Sequence, residues 1–403
     1  LNATSATSAT FTSGGGAIVI DGASDLRAAT AITYDAANGS ITQTGATTAT
    51  AMETLTITAA AGFAATHTGA MTTDADVSSI SMTATGASAD IGFDGLLDAD
   101  HVRSVTLTAT GGGNIDLADL EMIGIDDDGT TDVTTSLVIS ANGQDSSDNS
   151  STVTVAAINS ATSTLDSVTI SGDADGVVSF TTGGANLTIT SIDASAMLGT
   201  LTLNSAAISG ALAATLGAGT NGVTTEADLA DVITLASAAG TDTFNIAAVS
   251  GTSEDQITNF EAGNNGDIVS LDVSEIEVSG TAGLQNQTGT DLSAIHTVII
   301  EDDADGTVNA VDTTNIVRLT NSFANIAAVG DALGGNLTVA SGVADDDNIL
   351  VLWGDGANSY LSVILADWTT GAGSSRTTGE ENLIQFVGVS DISTFTADNF
   401  AFV

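Results

Sequence analysis

The stretch Leu55-Thr56-Ile57 alternates apolar and polar residues, and the same pattern returns at Ile80-Ser81-Met82 and at Val105-Thr106-Leu107. A period of two is typical of a β-strand with one buried face. Further copies are Val138-Ile139, Val153-Thr154-Val155, Val168-Thr169-Ile170, Leu187-Thr188-Ile189 and Leu201-Thr202-Leu203. The sequence therefore predicts short strands that bury Val, Ile and Leu and expose Thr and Ser.

The spacing of these strands indicates how they are stacked. From Leu55 to Leu201, 146 residues contain seven intervals of about 21 residues each, which lies in the range of solenoid repeats. Apolar residues between the strands are expected to form a second inward wall: Ile115, Leu117, Leu120, Ile192 and Leu198. A β-sandwich, with a strand every 8–12 residues or so, is the alternative. We predict an all-β fold in which residues 1–205 form an elongated, parallel β-solenoid-like array.

Two further regions follow this array. Alternation fades around Ala206–Asp231, and we expect a calcium-binding β element over residues 206–280. Residues 281–403 are expected to form a compact β-rich domain that carries a secretion signal. Its predicted strands are Thr297–Ile300, Ile349–Trp353, Tyr360–Leu365 and Leu383–Val387, and Ser322–Leu333 has helical spacing.

The charge of the chain is extreme for a folded protein. Fifty carboxylates stand against four arginines, for a formal net charge of −46, yet 42% of the residues are hydrophobic. A disordered acidic tail would be poor in apolar residues, and self-repulsion on this scale opposes a compact state. Several Ca²⁺ ions, which bind oxygen ligands, are the expected cofactors. Millimolar calcium is found outside cells, so an extracellular location is expected.

The composition also argues against several classes of function. Phosphate binding needs Lys and Arg, so nucleic acid is not an expected partner. No run of about 18 apolar residues predicts membrane insertion, and the absence of cysteine excludes disulfides. The histidines His67, His101 and His296 are far apart and lack a metal-ligand spacing. We therefore do not expect an enzyme; a secreted hydrolase using His101 is the weakest alternative.

The motif with the most specific order and spacing is Ile233–Asp272. It contains Gly240-Thr241-Asp242-Thr243-Phe244, then Asp255-Gln256-Ile257-Thr258-Asn259-Phe260, then Gly266-Asp267. This segment resembles the terminal element of haemolysin-type repeats-in-toxin proteins, although the repeated glycine-rich nonapeptides of that family are absent. The resemblance implies calcium ligation by Asp242, Asp255 and Asp267. Ordinary turn aspartates are the alternative interpretation.

A second calcium-loop pattern is Glu301–Asp312. Its candidate ligands are Glu301, Asp303, Asp305, Asn309 and Asp312, with Gly306 at the turn position. Alternate acidic side chains followed by glycine converge on one ion in such loops, and a solvated acidic turn is the alternative. Further candidate ligands in acidic turns are Asp126, Asp128, Asp173 and Asp175. Two other acidic clusters are Asp94/Asp98/Asp100 and Asp116/Asp119.

The segment Leu187–Gly222 and the acidic-then-hydrophobic end Asp398–Val403 resemble bacterial surface-layer proteins exported by type I secretion. That resemblance implies export, a location on the bacterial cell surface and self-assembly into a lattice or filament. A calcium-dependent adhesin is the alternative, binding a cell-surface polysaccharide or another cell through a pocket near Trp353, Tyr360 and Trp368. Thr-x-Thr runs raise one further alternative, a flat face that binds ice or another ordered surface.

Overall fold

The computed structural model describes residues 1–73, 77–98, 102–121, 135–159, 163–182, 187–189, 191–225, 229–237, 240–246, 254–272, 277–278, 281–282, 300–303, 316–336, 347–367 and 376–403. Nearly all of the described structure is β, as predicted. The chain divides into two compact units, Leu1–Asn221 and Gly222–Val403, and each is described by itself.

The first unit consists of strands joined by short turns. Its strands are β1 (Ser8–Thr12), β2 (Ile18–Ile20), β3 (Ser24–Asp25), β4 (Ala31–Ala36), β5 (Ile41–Gln43), β6 (Thr47–Thr48), β7 (Thr54–Ala60), β8 (Ala64–His67), β9 (Met71–Thr72), β10 (Ser79–Thr85), β11 (Asp90–Asp98), β12 (Ser104–Thr110), β13 (Asn114–Glu121), β14 (Ser136–Asn142), β15 (Thr152–Val155), β16 (Ile158–Asn159), β17 (Ser163–Leu165), β18 (Ser167–Gly172), β19 (Val177–Thr181), β20 (Leu187–Ile189), β21 (Ile192–Met197), β22 (Thr200–Asn204) and β23 (Ala213–Leu216).

The chain of the first unit alternates between two parallel sheets. The first sheet has the order β1-β4-β7-β10-β12-β14-β18-β21-β23, and the second has β2-β5-β8-β11-β13-β15-β19-β22. Leu55 pairs with Ile80, and Val105 pairs with Ile80 and with Leu137. Equivalent residues of successive coils therefore lie side by side, as in a solenoid-like array. The antiparallel β-sandwich alternative is wrong for these strands.

The buried positions follow the predicted alternation. Alternate residues of β7, β10, β12 and β14 point inward, with Leu55, Ile80, Val105 and Leu137 at most 1% exposed. Val138 of β14 is an exception to the predicted inward placement of Val, because it occupies an outward position. Ile115, Leu117 and Leu120 are buried in the second sheet as predicted, whereas Ile192 belongs to β21 of the first sheet. Leu198 is 54% exposed, so its prediction was wrong. A register shift in β21 gives the inward position to Met197 instead.

Glycines line the corner that follows the second-sheet strands. Gly45, Gly69 and Gly95 occupy equivalent positions in successive coils. A Cβ on Gly69 would lie 2.4 Å from the carbonyl carbon of Gly45, and one on Gly95 would lie 2.2 Å from the carbonyl oxygen of Gly69. Contacts this short are not found for real Cβ atoms, so the close stacking of backbones at this corner requires glycine.

The second unit combines parallel coils with an antiparallel extension. Its elements are β24 (Thr220–Thr224, which begins at the boundary), β25 (Val232–Thr234), β26 (Thr243–Ile246), β27 (Asp255–Thr258), β28 (Ile268–Leu271), β29 (Glu277–Val278), β30 (Thr281–Ala282), β31 (Ile300–Asp303), β32 (Ile316–Ser322), α1 (Ile326–Asn336), β33 (Asp347–Gly354), β34 (Ser359–Asp367), β35 (Arg376–Val387), the 3₁₀ turns Ile392–Thr394 and Ala397–Asn399, and β36 (Phe400–Phe402).

Strands from the C-terminal part of the chain complete the two sheets of this unit. One sheet runs β24-β26-β28-β36, and the other runs β25-β27-β35-β34-β33-β32-β31. The chain leaves the coils after β28 and rejoins them at β35, which pairs parallel with β27. Between these points β33, β34 and β35 pair antiparallel. The predicted strands Ile349–Trp353, Tyr360–Leu365 and Leu383–Val387 lie within these three.

The helix and the C-terminal strand are held by apolar contacts. Val329 and Leu333 of α1 pack in one buried cluster with Trp353 and Ile364. The helical spacing predicted over Ser322–Leu333 is confirmed from Ile326 onward, whereas Ser322 belongs to β32. In β36, Phe400 and Phe402 are buried.

Candidate metal-binding carboxylates

Two aspartates of the Ile233–Asp272 motif lie one coil apart. Asp242 precedes β26 and Asp267 precedes β28, and the register of these strands sets them side by side. The Asp267 carboxylate accepts hydrogen bonds from the N–H groups of Asp242, at 2.9 Å, and Glu261, at 2.8 Å. Both aspartates are at most 1% exposed, and burial raises the pKa of Asp267. The Asp267 carboxylate therefore joins the backbones of neighbouring coils.

The third aspartate of the motif has a different neighbour. Asp255 accepts a hydrogen bond from the N–H of Asp231 at 2.9 Å, and both residues are buried. Burial raises the pKa of Asp255 to about 8, and the negative charge of Asp231 contributes to the rise. Asp242 and Asp267 therefore form one pair, and Asp255 forms another with Asp231, next to strands of a different sheet. The sequence analysis did not predict a role for Asp231. The signal that could have identified it is an aspartate at, or immediately before, the first residue of each of these strands.

Asp173 and Asp175 lie in a turn of the first unit. Both oxygens of Asp173 are 2.8 Å from the N–H of Gly143 in the preceding coil, and the N–H of Asp175 lies 3.2 Å from one of them. The Asp173 carboxylate therefore caps a corner of the neighbouring coil. Both aspartates are half-buried.

The remaining predicted ligands are largely beyond what the structure describes. Residues outside the described ranges are Asp126, Asp128, Asp305, Asn309 and Asp312. The backbone of Glu301 and Asp303 belongs to β31, which pairs parallel with β32. The strand β31 therefore includes Ile300, the last residue of the predicted strand, and the first three positions of the loop. The rest of the predicted strand, residues 297–299, lies outside the described residues, and the calcium loop itself stays a prediction.

The fold unites two acidic clusters that are separate in sequence. Asp94 and Asp98 of one cluster lie on β11 together with Asp90, and Asp116 and Asp119 of the other lie on the neighbouring strand β13 together with Glu121; we call these six residues the acidic face. Asp100 lies outside the described residues. Asp116 pairs in register with Gly92, and Glu121 pairs with Asp98. Partial loss of hydration, followed by the charges of Asp116 and Asp94, raises the pKa of Asp90. Like charges on neighbouring strands therefore repel here.

The acidic side chains are adjacent but do not converge. Among the described residues, no group of three or more His, Cys, Asp or Glu side chains is placed to hold one metal ion. Arg27 forms an ion pair with Asp25, and Arg318 forms one with Asp302. These two arginines therefore neutralise local acids outside the acidic face.

His67 occupies a buried structural position. Because a carbonyl oxygen only accepts, its Nδ1–H donates to the carbonyl of Gly69 at 2.7 Å, and Nε2 accepts from Thr47 at 3.0 Å. The ring stacks on Phe93 with centroids 4.5 Å apart. Burial lowers the pKa of His67, which favours the neutral ring. His101 and His296 lie outside the described residues.

Of the three aromatic residues predicted to lie near an adhesin pocket, Trp353 belongs to the core. Trp353 is 2% exposed, and its Nε1–H donates to Ser362 at 2.8 Å. Its ring stacks on Tyr360 at 4.3 Å, so the Trp353 ring is not available as a binding platform. Trp368 lies outside the described residues.

In the part of the chain that the structure describes, no helix has the length and apolarity needed to cross a membrane. No protein-family model matches this sequence, and no curated protein or solved structure matches it.

Proposed function

We propose that this chain is a secreted, calcium-dependent structural protein that assembles with its own copies into a bacterial surface layer or an extracellular filament. The observation that carries the proposal is the net charge of −46 on a chain with four arginines, together with the stacking of carboxylates by the coils. Stacking places equivalent residues of successive coils about 4.8 Å apart, so acids at such positions repel unless cations lie between them.

The chemistry of these carboxylates favours calcium over other counterions. Calcium accepts six to eight or so oxygen ligands in flexible geometry, whereas magnesium requires a near-ideal octahedron and keeps its waters. The acidic face offers carboxylates from two strands together with surrounding solvent. Because its side chains do not converge in the described arrangement, binding there requires rotamer changes or bridging waters. Such sites are weak and suit the millimolar calcium found outside cells.

Self-assembly follows from the same electrostatics. Two chains that each have a net charge of −46 repel each other at low salt, and bound calcium would reduce this repulsion. Calcium would act as the trigger, and contact surfaces on the coils would supply the attraction.

The test is to titrate the purified chain from chelator into millimolar calcium, with magnesium as the control. We expect ordered sheets or fibres in electron micrographs, and a rise in light scattering, with calcium only. A folded monomer at every calcium concentration would refute assembly and favour the adhesin alternative.

A charge-matched pair of variants tests the part played by the acidic face. Asp90→Asn/Asp116→Asn removes two carboxylates from that face, and Asp21→Asn/Asp148→Asn removes two from exposed turns elsewhere. We expect the first variant to need a different calcium concentration for assembly from that of wild type and the second to resemble wild type. Equal shifts in both variants would mean that only total charge matters.

A further inference from the structure

The outer face of the first sheet carries no charge over five adjacent strands. The strands β7, β10, β12, β14 and β18 contain no Asp, Glu, Lys, Arg or His. Their outward polar residues, together with Val138, form what we call the hydroxyl face: Thr54, Thr56, Thr58, Ser79, Ser81, Thr83, Thr85, Ser104, Thr106, Thr108, Thr110, Ser136, Val138, Ser140, Asn142, Ser167, Thr169 and Ser171. On a chain with 54 charged residues, formed by 50 acids and four arginines, so large an uncharged surface requires an explanation.

The hydroxyl face is regular in two directions. Ser81 pairs with Thr56 and with Thr106, and Thr83 pairs with Thr58 and with Thr108. Columns of short side chains therefore cross the strands at spacings of about 4.8 Å and follow each strand at about 6.6 Å. The alternate residues beneath are buried apolar side chains, which fix the positions of the strands that carry the face.

The central hydroxyl groups are available to an external partner. Thr56, Ser81, Thr83, Thr106 and Thr108 form no side-chain hydrogen bond to any group in the described part of the chain. By contrast, Thr58 donates to Asp35 at the N-terminal side of the face. A partner that covers the centre would therefore displace water without breaking an internal bond.

We infer that the hydroxyl face is the docking surface for a second copy of this chain, placed face to face. This inference rests on the proposed self-assembly and names the surface that supports it. Charge decides between occupants, because two copies that meet through this face bring no like charges into the contact. Charged residues border the face at the ends of its strands, for example Glu53 before β7 and Arg103 before β12. They also lie on the two flanking strands, as Asp35 on β4 and Asp193 on β21.

The size of the face fits a weak, repeated contact. Five strands about 4.8 Å apart and seven residues long, at about 3.3 Å per residue, cover roughly 550 Å². Two copies would bury about 1,100 Å², which is near the lower limit for a specific interface. A face that contacts an identical face also gives a closed, two-fold arrangement.

The test measures association without calcium, so that it is independent of the proposed trigger. At 1 M sodium chloride with chelator, the Debye length falls to about 3 Å and general repulsion is screened. Sedimentation velocity should then show concentration-dependent dimers for wild type. Thr106→Asp/Thr108→Asp should weaken dimerisation at least about tenfold, since burying charges that lack partners is unfavourable.

Ser179→Asp, which adds a single carboxylate to the second sheet, is the control. Ser179 is a half-buried outward residue of β19 in the second sheet, and this variant should dimerise like wild type. Circular dichroism should show the same β-sheet signal for all three proteins. Undiminished dimers of Thr106→Asp/Thr108→Asp, or a wild type that stays monomeric in high salt, would overturn the inference. A monomeric wild type that inhibits ice recrystallisation would instead assign the face to ordered water.

The calcium experiment separates the two proposals. If Thr106→Asp/Thr108→Asp forms sheets or fibres in calcium as readily as wild type, the proposed function stands and the docking surface is wrong. If wild type dimerises in salt but never assembles in calcium, the docking surface stands and the proposed function fails.

Discussion

The hydroxyl face and the acidic face belong to the same coils but differ completely in charge. The hydroxyl face crosses five strands of the first sheet without an ionisable residue. The acidic face places six carboxylates on two strands of the second sheet. Beneath both faces the packing is the same, since Ile80 and Val105 under one and Ile91 and Ile115 under the other are at most 1% exposed.

The inward residues beneath the two faces form the fold, whereas the outward residues adapt it to a function. Inward positions are restricted to apolar residues because each coil must bury them against its neighbours. Outward positions tolerate many residue types, so the difference between the faces reflects a requirement outside the fold. We attribute it to cation binding on one face and association on the other.

The largest expected effect comes from breaking the coils that carry both faces. In Gly69→Ala, the new Cβ would lie 2.4 Å from the carbonyl carbon of Gly45, and backbone atoms must move. We expect a loss of about 3 kcal/mol in the free energy of unfolding, measured by urea denaturation. In the control Gly14→Ala the new Cβ has no neighbour within 4 Å, and it should have little effect.

The second-largest effect is expected at Asp255, a buried carboxyl group outside the acidic face. The pKa of Asp255 is raised from 3.8 to about 8 in the folded chain, so the folded state binds a proton that the unfolded state releases above pH 4. Without calcium, the stability that this proton contributes is therefore present below the unfolded pKa and is lost as pH rises toward 8.

Asp255→Asn retains a hydrogen-bond acceptor and removes the charge. We expect it to raise the free energy of unfolding at pH 8 by about 2 kcal/mol and to flatten the pH dependence. Tryptophan fluorescence measures this change, because Trp353 and Trp368 both belong to the second unit. Asp398→Asn, at an exposed position, serves as the control. Identical pH slopes for wild type and Asp255→Asn would refute this prediction.

Neutralising the acidic face should stabilise the calcium-free chain modestly. Asp90→Asn/Asp116→Asn removes repulsion between neighbouring strands, and we expect a gain of about 1 kcal/mol at low salt. The gain should shrink in high salt because exposed charges are screened. A gain that is unchanged by salt would mean that repulsion is not its cause.

The smallest expected effect comes from transferring charge to the hydroxyl face. Thr83 and Thr108 are partners in register, so Thr83→Asp/Thr108→Asp places two like charges on neighbouring strands. We expect a loss of about 0.5 kcal/mol without calcium. The neutral control Thr83→Asn/Thr108→Asn should lose less, as measured by thermal unfolding, and equal losses would contradict the electrostatic origin.

Much of the fold could be predicted from local patterns. Alternation at Leu55-Thr56-Ile57 or Val105-Thr106-Leu107 identifies a strand and its buried face, because both depend on neighbours in sequence. The pattern does not reveal the sheet to which a strand belongs. Val153–Val155 and Leu201–Leu203 lie in the second sheet, while Leu55–Ile57 lies in the first. The predicted interval of about 21 residues therefore mixed strands of different walls.

The site was harder to predict because it depends on register. The clusters around Asp94 and Asp116 become neighbours only through the pairing of β11 with β13. Asp242, Asp255 and Asp267 were predicted from a resemblance to bind calcium. In the structure the carboxylates of Asp255 and Asp267 accept hydrogen bonds from neighbouring coils, because a buried acceptor needs a donor. Nothing in the spacing alone distinguishes these two uses of an aspartate.

Thermal unfolding in calcium, magnesium and sodium chloride at matched ionic strength, with equilibrium dialysis to count bound calcium, tests most directly whether calcium offsets the charge of −46. We predict that several calcium ions bind per chain and that calcium raises the unfolding temperature well above the values in magnesium and sodium chloride. Unfolding temperatures that depend on ionic strength alone, with no calcium retained in dialysis, would contradict it.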